Sequence, residues 1–251
     1  MITSPTLAVD EIPGLWWNNA DAFRSRLFDA ISLLLPSGEK FVITAVSDWL
    51  PTTPPLPRPP SELQREAQRF IREEIAHSRA HRLYNERLRA HAPAERLEQR
   101  VASALDTMAA WSLPTRIALA SAFEQLTALL SAEVLRTPSV WLDEGETPQA
   151  KLWRWHCQEE IDHRHVVQDV MQVVGVSHAR RVSAFLAAAL YLCSDIAVIL
   201  FVMFRCDVQA RRISGWRLAA QAAAFAVRVL PSLMRMAWGS LRYLIAADSA
   251  R

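Results

Sequence analysis

Glu73-Glu74-Ile75-Ala76-His77 and Glu159-Glu160-Ile161-Asp162-His163 are two versions of one short string. In each version a Glu and a His stand three residues apart, Glu74 with His77 and Glu160 with His163. On a helix that spacing brings both side chains to one face, a turn apart. A Glu-x-x-His pair from each of two helices, joined by one Glu from each of two others, is the ligand set of a two-metal four-helix bundle. Glu39 and Glu124 stand where those other helices would need them. The order along the chain is then Glu39, Glu74 with His77, Glu124, and Glu160 with His163. The expected fold is an all-α four-helix bundle with additional N-terminal helices and hydrophobic C-terminal helices. The offset between the motifs, 86 residues (160 minus 74), indicates duplication of a helix pair.

Chance placement of this many Glu and His gives about 0.4 Glu-x-x-His pairs, so one alone would carry little weight. Two with the same preceding Glu and the same Ile carry much more. Solvated surface residues would not fit the periodicity either. Phe70, Glu74, His77 and His81 share one stripe, and so do His156, Glu160, His163 and Val167. Polar groups set into apolar faces are costly to bury, and a pair of cations offsets that cost.

Working outward, the chain divides into residues 1–36, 37–176 and 177–251. The first part carries an amphipathic segment from about Asn18 to Leu35, which Pro36-Ser37-Gly38 is expected to break. Glu39 then falls in the first turn of a second helix reaching about Leu50. Residues 51–60 hold six prolines and read as a stiff connector. Ser61, with Gln64 in the capping-box position, opens a long helix to about His91. Pro93 opens another to about Trp111. Pro114 opens the one carrying Glu124, which ends before Pro138. An acidic loop at about 143–146 precedes Thr147-Pro148, which starts the helix of the second motif, and Gly175 stops it.

The last third differs. Between Arg181 and Arg205 the only charge is Asp195, a 23-residue stretch long enough to cross a bilayer. Packed on the bundle instead, which is the reading favoured here, Asp195 needs a partner such as an Arg. Arg228, Arg235 and Arg242 recur every seven residues along an Ala-rich apolar helix, a pattern suited to peripheral contact with a membrane surface.

Composition narrows the function. Apolar residues make up 51% of 251 and only 6 are Gly, which favours helices over sheet. A net charge of +2 gives no clustered excess of base for nucleic acid. Cys157, Cys193 and Cys206 lack Cys-x-x-Cys spacing and point to a reducing compartment, and the N-terminus lacks a signal-peptide pattern. The expected location is cytoplasmic, with membrane association through the C-terminal helices.

In the expected site Glu74 and Glu160 bridge or chelate, and His77 and His163 each bind one metal. Glu39 and Glu124 are terminal or bridging carboxylates. His156, one turn before Glu160, is a third imidazole ligand or a donor to a carboxylate. His81, one turn beyond His77, is placed behind the ligands or as an extra one. Glu73 and Glu159 are rotated about 100° away and read as structural. Asp162 and Asp169 are placed to orient imidazoles, although a solvated face is the commoner role for such residues. Mixed carboxylate and imidazole ligation fits iron or manganese best. The expected cofactor is two iron ions, with manganese or a mixed Fe/Mn pair as the alternatives.

The strings Pro36-Ser37-Gly38-Glu39-Lys40-Phe41, Glu73 to His81 and Trp153 to His163 resemble the bacterial family of predicted metal-dependent hydrolases, over about Pro36 to Cys206. The resemblance implies a ferritin-like di-iron carboxylate protein. The His156, Glu160 and His163 arrangement is also similar to the three-histidine pattern of the di-iron arylamine N-oxygenases. The leading expectation is an oxygen-activating oxidoreductase. It would hydroxylate, desaturate or N-oxidise a largely apolar small molecule, with dioxygen and a reductant as partners. The alternatives are a metal-dependent hydrolase using a metal-bound water and a non-catalytic metal-binding bundle. The sequence leaves a homodimer open.

Overall fold

The computed structural model describes residues 15–50, 61–142, 145 and 147–245. The proline-rich connector and most of the acidic loop lie outside them. Eight helices follow in order: α1 (Ala22–Trp49), α2 (Glu62–Leu88), α3 (Ala94–Ala109), α4 (Leu113–Arg136), α5 (Pro138–Trp141), α6 (Pro148–Val173), α7 (His178–Gln209) and α8 (Gly215–Ile245). No strand occurs among the described residues, so the all-α expectation holds.

Local chemistry sets most of the ends. Ser61 and Gln64 make the expected reciprocal box, with Gln64 N–H donating to Ser61 Oγ at 3.2 Å and Ser61 N–H to Gln64 Oε1 at 2.7 Å. Thr147 caps α6, whose first residue is Pro148. At the other end of α6, Gly175 takes φ +72°. Its N–H reaches Gln172 O, and Val176 N–H reaches Met171 O, which closes the helix with a left-handed residue.

The expected break at Pro36 does not occur. α1 runs unbroken through Pro36, and Glu39 lies well inside it rather than in a first turn. A proline leaves the carbonyl four residues earlier, here Ser32, without its helical donor. Asn85 of α2 replaces that donor, its Nδ2 bonding Ser32 O at 3.0 Å while Ser32 Oγ donates back to Asn85 Oδ1 at 2.6 Å. Asn85→Leu would leave Ser32 O buried and unpartnered. We expect it to lower the unfolding free energy by about 2 kcal/mol, read as a shifted urea midpoint with unchanged slope.

α1, α2, α4 and α6 form the bundle. Cross-contacts fix their directions. Ser32 meets Asn85 while Pro36 meets Ser78, so α2 runs antiparallel to α1. Asp48 meets Arg116 while Phe41 meets Phe123, so α4 is also antiparallel to α1. His77 meets Glu159 and Glu73 meets His163, which sets α6 antiparallel to α2. α3 packs on α1, and α7 and α8 lie across α1 and α4. Asp195, buried on α7, pairs with Arg100 of α3, the kind of partner a packed α7 requires. A Cβ at Gly239 would stand 2.5 Å from the Leu129 side chain, which marks how closely α8 approaches α4.

Three helices, α1, α4 and α7, are long and apolar enough to cross a membrane. Within this fold α1 and α4 are bundle members. α7 keeps most of its apolar surface outside.

Candidate metal centre

The two Glu-x-x-His pairs meet face to face because α2 and α6 cross antiparallel with their motifs level. Glu74, His77, Glu160 and His163 are all buried, and each offers a donor atom within 4.8 Å of the others. His77 Nδ1 stands 3.5 Å from Glu74 Oε1 and 3.4 Å from Glu160 Oε1. His163 Nδ1 faces the same two oxygens, at 3.6 Å from Glu160 Oε1. A second buried group of donors joins Glu39 of α1 and His156 of α6 to His77. His156 Nε2 lies 3.6 Å from Glu160 Oε1.

Glu124 of α4 belongs to neither group. It lines, with Glu39, Glu74 and Glu160, the same small cavity. His81 also stands outside both. Its Nδ1 meets Ser32 Oγ at 2.9 Å, and its ring packs against His156 and Trp153. Asp162 and Asp169 are exposed and orient nothing in the site.

The residues that do orient the imidazoles are Glu73 and Glu159, which the sequence reading set aside as structural. Glu159 Oε2 accepts from His77 Nε2 at 2.9 Å, and Glu73 Oε2 from His163 Nε2 at 3.2 Å. Each motif thus supplies the outer carboxylate for the other motif's histidine. Holding Nε2 by a carboxylate keeps a proton on that nitrogen, so that the neutral imidazole would turn its Nδ1 lone pair inward, toward a cation. The available signal was the repeated Glu before each pair. Trp155 and Phe70 set ring edges against His77 and His163, with centroids 4.8 and 5.0 Å apart.

Electrostatics show what this arrangement lacks. Burial, followed by the charges of Glu74 and Glu160, pushes the Glu39 carboxyl well above the usual range. Burial, then Glu160 and Glu74, does the same to Glu124. Burial and Glu160 oppose ionisation of Glu74, yet the facing imidazoles of His163 and His77 hold it below the ordinary value. Glu160 is held well below, the imidazoles of His156, His163 and His77 outweighing burial. His77 is raised well above the usual imidazole range despite burial, by Glu159, Glu160 and Glu74. Burial and the neighbouring His77 push His156 down to about 4. The site is therefore balanced by protons. Glu39 and Glu124 favour their neutral form, while His77 and His163, both raised, favour the charged form beside Glu74 and Glu160. Bound divalent cations would replace those protons and let all four carboxylates ionise.

The donors fit that cargo. Both Glu39 oxygens, Glu74 Oε1, Glu124 Oε2 and the Nδ1 atoms of His77, His156 and His163 are buried without a hydrogen-bond partner. Native interiors rarely leave so many polar atoms unsatisfied at one place. The cavity beside them measures about 50 Å³. Since one water needs roughly 10–15 Å³, it has room for several waters or a slender group. Its other walls are mainly Leu34, Leu35, Val42, Val101, Leu105, Phe123 and Leu192, with Thr127 and Tyr191 the uncharged polar members.

No curated protein and no solved structure matches the chain. A family model described as predicted metal-dependent hydrolase matches residues 5–245. That span takes in all four bundle helices and both motifs, so the chain belongs to the predicted metal-dependent hydrolase family.

Proposed function

We propose that this protein is a metal-dependent hydrolase whose centre holds two divalent cations between α1, α2, α4 and α6. The observation that carries the reading is the buried convergence of Glu39, Glu74, His77, His156, Glu160 and His163 donors, with Glu39, Glu74, Glu124 and Glu160 on the wall of an apolar-lined cavity. Glu74, His77, Glu160 and His163 would hold the cations, with Glu39, Glu124 and His156 completing the set. Bound cations would supply an activated water and polarise the scissile carbonyl or phosphoryl group. Glu73 and Glu159 keep the two imidazoles aimed inward. The aliphatic wall receives the apolar part of an ester, amide or phosphoester and limits bulk water.

A second reading is oxygen activation by a di-iron, or Fe/Mn, centre of the ferritin-like kind. The donor set favours it, because carboxylates with a few imidazoles suit iron and manganese better than zinc. The largely apolar wall of the cavity suits oxidation of an apolar substrate, with dioxygen and a reductant as partners.

One experiment separates the two. Protein loaded with zinc or manganese, and separately with ferrous iron under nitrogen, is offered a panel of acyl and phosphoryl esters with and without oxygen. Hydrolysis at the same rate in both atmospheres is the expected result. Oxygen uptake and a change in visible absorption confined to the iron form, with no ester cleavage, would replace hydrolysis by oxidation.

A further inference from the structure

α8 carries two distinct faces and a charged edge between them. Leu218, Val229, Ser232 and Tyr243 are buried against the bundle. On the opposite side Trp216, Val227, Met234, Trp238, Leu241 and Ile245 fall within an arc of about 60°, by the 100° step of a helix. All six are exposed, Val227 at 76% and Trp216 at 71%. They run the length of a 31-residue helix, or roughly 45 Å. A continuous exposed apolar stripe of that length marks a contact surface and is far more than scattered surface leucines.

The charged residues of the sector beside this stripe are all cationic. Arg217, Arg228, Arg235 and Arg242 share it and α8 contains no carboxylate, although Arg235 is already paired with Glu133 of α4. The turn leading into α8 adds Arg211, while Arg212 beside it is held by Asp207. α7, lying across the same two bundle helices, exposes Leu190 and Phe201 beside it. An apolar arc with a flanking row of arginines and tryptophans near both ends is the pattern of a helix lying in a lipid–water interface.

We propose that the outer face of α8, extended by α7, docks on an anionic phospholipid bilayer with α8 lying in the interface. Charge selects lipid over a second copy of the chain. Antiparallel twofold pairing through this stripe would bring the two arginine rows to the same side, where like charges oppose one another. A leaflet rich in anionic headgroups neutralises Arg217, Arg228 and Arg242 of that row while the acyl region takes the apolar arc. Tyr191 and Leu192 on the inner side of α7 line the cavity, so the helix forming that wall would itself rest on the membrane.

The test uses the purified full chain and sedimentation with vesicles of phosphatidylcholine alone or mixed with phosphatidylglycerol. The protein should pellet with the mixed vesicles, and on the order of tenfold more weakly with neutral ones or at high salt. Val227→Glu with Met234→Glu, both on the exposed arc, should lower binding to mixed vesicles by about tenfold or more. Helicity and metal content should stay unchanged, which separates this surface from the metal site. Equal binding of variant and wild type would overturn the proposal, as would equal binding of wild type to neutral and mixed vesicles. A wild-type chain that ignores both vesicles and forms a dimer dispersed by the double variant would assign the face to a second copy.

Discussion

Glu74→Ala combined with Glu160→Ala should give a helical chain whose affinity for divalent metal falls at least ~100-fold, beyond the 10–100-fold typical of losing an outer partner. These carboxylates are where the site converges. Glu160 Oε1 faces His77, His163 and His156, and Glu74 Oε1 faces His77 and His163. Removing both takes away the groups that share the inward imidazole nitrogens and two of the four carboxyl groups of the centre. Elemental analysis of metal per chain, alongside far-ultraviolet circular dichroism, reads the outcome. Glu73→Gln and Glu159→Gln provide the graded comparison, since they touch only the outer nitrogens and should weaken binding by about 10–100-fold. A folded double-alanine variant that keeps full metal would move the site away from the two motifs.

The sequence was legible where the physics is local. Helix starts at Ser61, Pro114 and Thr147-Pro148 and the stop at Gly175 follow from caps and φ preferences that act within a few residues. The i, i+3 spacing placed Glu74 with His77 and Glu160 with His163 for the same reason. Pro36 misled because its cost is also local while its remedy is not. The orphaned Ser32 carbonyl is served by Asn85, 53 positions later, on another helix. Glu73 and Glu159 were misread in a related way. Rotation on their own helices points them away from their own motif, and only the antiparallel crossing of α2 and α6 delivers them to the other motif's histidine. The apolar C-terminal third showed its surface chemistry in its pattern, but which arc faces the bundle is decided by Leu218, Val229, Ser232 and Tyr243 packing against it.

Arg26→Ala should be the most destabilising single change outside the metal centre, at about 3–5 kcal/mol, because it takes the shared buried guanidinium from two buried carboxylates. Arg26 is 1% exposed. Its Nε and Nη2 reach the two oxygens of Asp207 at 2.8 Å each, and Nη1 reaches Asp29 Oδ2 at 3.0 Å. Asp29 also accepts from Tyr84 Oη and Trp17 Nε1, and Asp207 from Arg212. The knot ties the start of α1 to the end of α7 across 181 positions of sequence, which is why no local pattern revealed it. Burial already raises the Asp29 carboxyl above its ordinary value despite Arg26, Tyr84 and Trp17. An acid whose folded pKa is raised binds more protons folded than unfolded, so stability falls as pH rises through that window. Loss of the guanidinium should widen the window, making the deficit in urea unfolding larger at pH 7 than at pH 5. Lys40→Ala sets the opposite limit. Its pair with Asp106 leaves both side chains about two-thirds exposed, 65% and 64%, and should change stability by less than about 1 kcal/mol. A deficit for Arg26→Ala as small as that would mean α7 holds its place through apolar packing alone.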